Sequence, residues 1–63
     1  MGPIEGTDKY MGWIPGQSRD IRKLRKLGVT GKMIPSDDRK AIEYCEATRA
    51  VIDKLYAHGY EFC

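Results

Sequence analysis

No glycine or proline interrupts the chain between Pro35 and Gly59, and within that stretch Ala41, Ile42, Tyr44, Cys45, Thr48, Val51, Ile52, Leu55 and Tyr56 recur at spacings of three and four. Such spacing places side chains on one face of an α-helix. The flanks agree with that reading. Ser36 is a candidate N-cap, Asp37 and Asp38 complement the positive end of a helix dipole, and Gly59 is a stop beside Lys54 and His58. On the opposite face, Arg39 with Glu43 and Arg49 with Asp53 form i,i+4 pairs. The pattern predicts one long amphipathic helix over residues 37–58.

A second, shorter helix is expected over residues 19–27, with Ser18 as N-cap and Ile21, Leu24 and Leu27 at intervals of three. Gly28 ends it, and Val29 folds back on Leu24 as in a Schellman stop. The other arc of this helix carries Arg19, Arg22, Lys23, Arg25 and Lys26, displayed together. Residues 1–17 hold four of the seven glycines and two of the three prolines among Ile4, Tyr10, Met11, Trp13 and Ile14. They read as an irregular arm in which Tyr10–Ile14 is extended and Trp13 anchors the arm in the core. The expected fold class is therefore all-α: arm (1–17), basic helix and connector (18–35), long helix and tail (36–63), in a single small domain.

A chain of 63 residues needs reinforcement, because one core of this size supplies only a few kcal/mol. Disulfides are a poor source. Cys45 and Cys63 are the only cysteines, and a long helix would hold them farther apart than the tail can span. Neither belongs to a paired zinc-ligand motif. Self-association remains. The long helix would span about 33 Å and the basic helix only about 14 Å of it. A second copy would cover the rest, giving a homodimer through Ile42, Cys45, Val51, Ile52, Leu55 and Tyr56.

No apolar run is long enough to cross a membrane, and the first residues lack the basic start and apolar centre of a signal peptide. The expectation is a soluble, cytoplasmic protein without a membrane partner. Cys63 is last rather than fourth from the end, so it does not fit a prenylation signal.

The net charge of +2 hides a polarised chain. Residues 17–32 carry six basic groups, including Lys32, against one acid, Asp20, which is +5; the remaining five basic groups and eight acids give −3. A local positive field of this kind attracts phosphates or acidic protein surfaces. Two short stretches of this region have counterparts in nucleic-acid-binding families. Leu27–Ile34, with Gly28-Val-Thr-Gly31 followed by Ile34, resembles the loop with which KH domains clamp a nucleic-acid backbone. Leu27-Gly-Val-Thr30 resembles the turn of a helix-turn-helix, which implies a recognition helix after it. Both depart from their patterns at Pro35, which falls where a helix should run, and a helix cap with a turn accounts for the two glycines. No family resemblance covers the chain.

Enzymatic chemistry finds no support in the residue types. Gly31-Lys32 lacks the earlier glycine and the Ser/Thr of a P-loop. Cys45, on an apolar face without a histidine in reach, reads as core. No cofactor is implied. The expectation is a small accessory or regulatory protein that binds a protein partner, with the basic residues steering it and exposed aromatics anchoring it. Nucleic acid, held through phosphates, is the alternative. Compact chains of this kind are common among phage and mobile-element accessory proteins, by analogy only.

Overall fold

The computed structural model describes residues 1–63. In chain order the elements are β1 (Gly2–Pro3), β2 (Lys9–Pro15), a single 3-10 turn (Ser18–Asp20), α1 (Ile21–Leu27), β3 (Thr30–Pro35), β4 (Ala41–Thr48) and α2 (Arg49–Ala57). The strands form one antiparallel sheet in the order β1-β2-β4-β3. The fold is α+β, and this overturns the all-α expectation. Both helices contribute to one apolar cluster with the sheet: Leu24 of α1 and Ile52 and Leu55 of α2 pack with Ile14, Met33, Ile42, Cys45 and Ala47 of the strands, and with Val29 and Phe62. All ten buried residues are apolar, so the interior holds no charged or strongly polar side chain in need of a partner.

The expected helix over residues 37–58 is the largest correction. Its first part is a hairpin turn and β4, and only Arg49–Ala57 is helical. A β-bulge explains the false periodicity. Ile14 pairs with Ile42 and Gly12 with Cys45, so Trp13 alone faces Glu43 and Tyr44, and Tyr44 takes the extra place with φ of +58°. The pleat therefore sends Ile42, Cys45 and Ala47 inward, a spacing of three then two. Joined to Val51, Ile52 and Leu55, it imitates a helical stripe. Thr48, read as part of that stripe, is the N-cap of α2, its Oγ1 accepting from the Val51 N–H. The dimer through a half-covered long helix loses its premise, because Ile42, Cys45, Ile52 and Leu55 are already buried within one chain and Tyr56 lies exposed.

Residues 1–17 are only partly irregular, since Gly2–Pro3 and Lys9–Pro15 are strands. Tyr10–Ile14 is extended, but as part of a central strand and not as a cover for a helix. Tyr10 and Ile14 pack inward, while Met11 and Trp13 point to the other face. Gly12 is the inward position between them, and a Cβ there would meet the Cys63 carbonyl oxygen and come within 2.8 Å of the Phe62 ring. The bare backbone lets the tail lie against β2, where Trp13 N–H donates to Cys63 O (3.0 Å) and Cys63 N–H donates to Trp13 O (2.9 Å). Those two bonds continue the edge that β1 begins.

The basic helix forms with its expected stop. Gly28 is left-handed (φ 112°), and Val29 N–H donates to Leu24 O at 3.0 Å. Its start differs, since Ser18 opens a 3-10 turn and the Asp20 carboxylate accepts from Gln17 N–H at 2.8 Å. No recognition helix follows, because Thr30–Pro35 is the edge strand β3. That edge is poorly suited to unwanted pairing: Lys32 is exposed on it, Pro35 ends it, and Met33 (φ 54°) distorts it.

The Ser36–Ala41 pair closes the β3–β4 hairpin, Ser36 N–H donating to Ala41 O at 2.8 Å. Ser36, expected to cap a helix, instead donates its hydroxyl to Asp38 Oδ1 and accepts from Ala41 N–H. That hydroxyl, then the Lys40 N–H, holds the Asp38 carboxyl below its usual pKa. The stabilisation of the turn is thus present at neutral pH and lost as pH falls through the lowered pKa. Arg39 sits in the same turn with φ of +61°, a conformation costing an L-residue about 1 kcal/mol. Arg39→Gly is expected to raise unfolding stability by about 0.5–1 kcal/mol in urea titrations; an unchanged or lower midpoint would contradict this account of the turn.

Candidate functional site

Covering only one face of the sheet with helices leaves the other open. Met11 and Trp13 on β2, Tyr44 on β4 and Ile34 on β3 are exposed. Trp13 and Tyr44 stand on the two central strands and retain 46% and 54% of their accessible surface. With Met11, the Gly12 backbone and Glu43 they line a shallow depression of about 280 Å³. Trp13 is therefore not the core anchor expected of it. The neighbours Tyr10, Gly12 and Ile14 take the inward positions, so the pleat forces Trp13 outward. Phe62, from the tail, fills the interior instead.

The rim of this face is polar. Lys9 reaches from β2 across β4 to donate its Nζ hydrogen bond to Thr30 Oγ1 on β3 (3.0 Å), and Thr30 Oγ1 donates to Glu46 O (3.3 Å). Glu43 pairs in register with Ile34, and Glu46 with Thr30. The apolar centre is thus bordered by two carboxylates and a tethered lysine.

The basic residues lie elsewhere. Arg19, Arg22, Lys23, Arg25 and Lys26 are exposed on α1 and its lead-in turn, across the sheet from the open face, while Lys32 is exposed on β3. None is ion-paired within 4 Å, the molecule's one such pair being Arg49 with Asp53 at 3.8 Å. Asp20, the acid among them, is occupied by the Gln17 N–H and by the Tyr60 hydroxyl at 3.2 Å. Lys23 Nζ stands 5.7 Å from the Tyr60 ring centroid. Burial, together with the Asp20 carboxylate, holds the Tyr60 phenol above its usual pKa. The fold therefore sets the five cations of α1 and its lead-in apart from Met11, Trp13 and Tyr44, so one flat partner cannot meet both groups; Lys32 lies on the sheet, and the exposed Tyr56 lies on α2.

The remaining candidates carry little chemistry. Burial pushes the Cys45 thiol up to about 11, and its Sγ donates to Ile42 O, so the reactive thiolate is scarce near neutral pH. No three His, Cys, Asp or Glu side chains converge in a metal-binding arrangement. His58 is the C-cap of α2, with Nδ1 at 2.9 Å from Lys54 O. A polar cleft of about 730 Å³ lies between Gln17-Ser18 and the hairpin residues Pro35–Asp37 and Arg39, without an apolar wall. No helix is long and apolar enough to cross a membrane.

The fold and its surfaces define a two-layer α+β protein with one uncovered sheet face. The chain matches no protein-family model, no curated protein and no solved structure at a significant level.

Proposed function

We propose that this is a small non-enzymatic accessory protein that binds a protein partner through the open face of its sheet. The observation that carries this reading is the exposure of Met11, Trp13, Ile34 and Tyr44 together, on the face the helices leave free. A contiguous apolar surface rimmed by polar groups is a mark of protein interaction sites. Large aromatics supply much of the binding energy at such sites. The carboxylates of Glu43 and Glu46 set the chemistry of the partner: an apolar projection flanked by lysine or arginine fits, whereas nucleic-acid phosphates would be repelled.

Trp13 is the protein's one tryptophan, so its fluorescence reports on this face directly. Free protein is expected to show red-shifted emission open to acrylamide quenching. A partner captured from host extract should shift the emission to the blue and protect it. Trp13→Ala and Tyr44→Ala should each weaken that partner by about 1–3 kcal/mol, roughly 5- to 150-fold, with folding preserved because both side chains are exposed. Capture undiminished by both substitutions would defeat the reading.

A further inference from the structure

The two-layer arrangement sorts charge in a way the linear chain only half reveals. Residues 18–27 and 49–58, which make up the helix layer, hold seven cations and two acids; the strands, turns and tail hold four cations and seven acids. Folding packs α2, which bears Arg49 and Lys54, against α1. The two acids of this layer are both engaged, Asp20 by hydrogen bonds and Asp53 by Arg49. The other acids lie outside the layer.

We propose that the helix layer is a second, independent site that binds the phosphodiester backbone of a duplex nucleic acid. Two features favour phosphates over an acidic protein. From Arg19 to Lys26 the chain rises about 10 Å at 1.5 Å per residue, so five cations give about one charge per 2 Å. A duplex presents about one phosphate per 1.7 Å of its axis. The second feature is what α1 lacks. Ile21, Leu24 and Leu27 are turned toward the core, so its exposed arc carries cations without an apolar anchor; the layer's exposed aromatic, Tyr56, stands on α2 with its hydroxyl donating to Phe62 O in the tail. Protein interfaces draw their energy from such anchors, while backbone binding to nucleic acid needs only charge and counterion release. The arc also offers no apolar side chain to insert into a lipid surface. Combined with the sheet-face reading, this makes the molecule an adaptor with oppositely directed surfaces, although the helix site stands without that reading.

The test is a fluorescence-anisotropy titration of the intact protein with labelled 20-base-pair DNA and RNA duplexes of arbitrary sequence, with vesicles of phosphatidylcholine and phosphatidylserine as a competing arm. About four phosphate contacts predict a log–log salt slope of about −3.6, an affinity falling about 10²-fold from 50 to 200 mM salt, and a Kd of about 1–100 μM near physiological salt. Arg22→Gln with Lys26→Gln should weaken binding and cut the slope to about −1.8. Both side chains are exposed, so circular dichroism should be unchanged. Trp13→Ala should bind like the parent, which separates this site from the sheet face. Absence of binding at 50 mM salt, a slope shallower than −1, indifference to the double substitution or tighter binding to vesicles would each overturn the proposal.

Discussion

Ile52→Asp is expected to abolish the cooperative thermal transition of the protein. Ile52 is fully buried between the helices and the sheet. The substitution removes about 2–3 kcal/mol of apolar burial and forces a carboxyl into a site without a hydrogen-bonding partner, at a further cost of several kcal/mol. A chain of 63 residues has total stability of only about 3–9 kcal/mol, so the combined penalty matches or exceeds it. Ala50→Asp is the control. That residue is exposed in the first turn of α2, where a carboxylate complements the helix dipole, and the melting curve should be nearly unchanged. The loss in Ile52→Asp should also be independent of protein concentration, as befits a core residue. A folded variant that merely dissociated would restore the interface reading of the long apolar stripe.

Gly12→Val should destabilise by about 3 kcal/mol, chiefly through expulsion of the tail. The added Cβ falls on the Cys63 carbonyl oxygen, which cannot move without breaking the paired bonds to Trp13, and on the ring of Phe62, which is buried in the core. Losing a buried Phe costs about 3–5 kcal/mol, so Phe62→Ala alone should do comparable damage. The two changes act on one contact and should not add. In urea titrations, Phe62→Ala placed on a Gly12→Val background is expected to cost less than about 1 kcal/mol more. Full additivity would show that Gly12 does something other than seat the tail.

The parts of this structure open to sequence reasoning are those whose cause is local. Gly28 and Val29 stop α1 as their order implies, and the basic arc follows from the spacing of Ile21, Leu24 and Leu27. Ile42, Cys45, Ile52 and Leu55 are buried as their apolar character suggests, although in the wrong secondary structure. What escaped was set by pairing between distant segments. The bulge at Tyr44 lies where the pairing of β4 shifts register against both β2 and β3, and it breaks the alternation that would have announced a strand. The Gly31 and Pro35 of β3 read as a connector for a different, local reason: glycine and proline are poor strand residues, tolerated here because β3 is an edge strand. The open face was harder still: a large aromatic is more often inside than out, and only the inward place of Gly12, taken up by Phe62 some fifty residues later, shows why Trp13 is not. The one available signal was the alternation of Tyr10, Gly12 and Ile14 against Met11 and Trp13.

The strand order also governs the sequence of events by which the chain folds. The β3–β4 hairpin closes over the short turn after Ser36, whereas β2 must find β4 from much farther along the chain, with Pro15 opposite Ala41 at the near end and Lys9 opposite Thr48 at the far end. Short loops close at small entropic cost and long ones later. A chain that formed the hairpin first would present β4 with a free edge until β2 arrived, since Ile42 and Cys45 owe part of their cover to the rest of the core. The period of greatest risk of misassociation is therefore set by how quickly residues 9–15 reach residues 41–48, a kinetic quantity that the stability of the finished sheet does not determine.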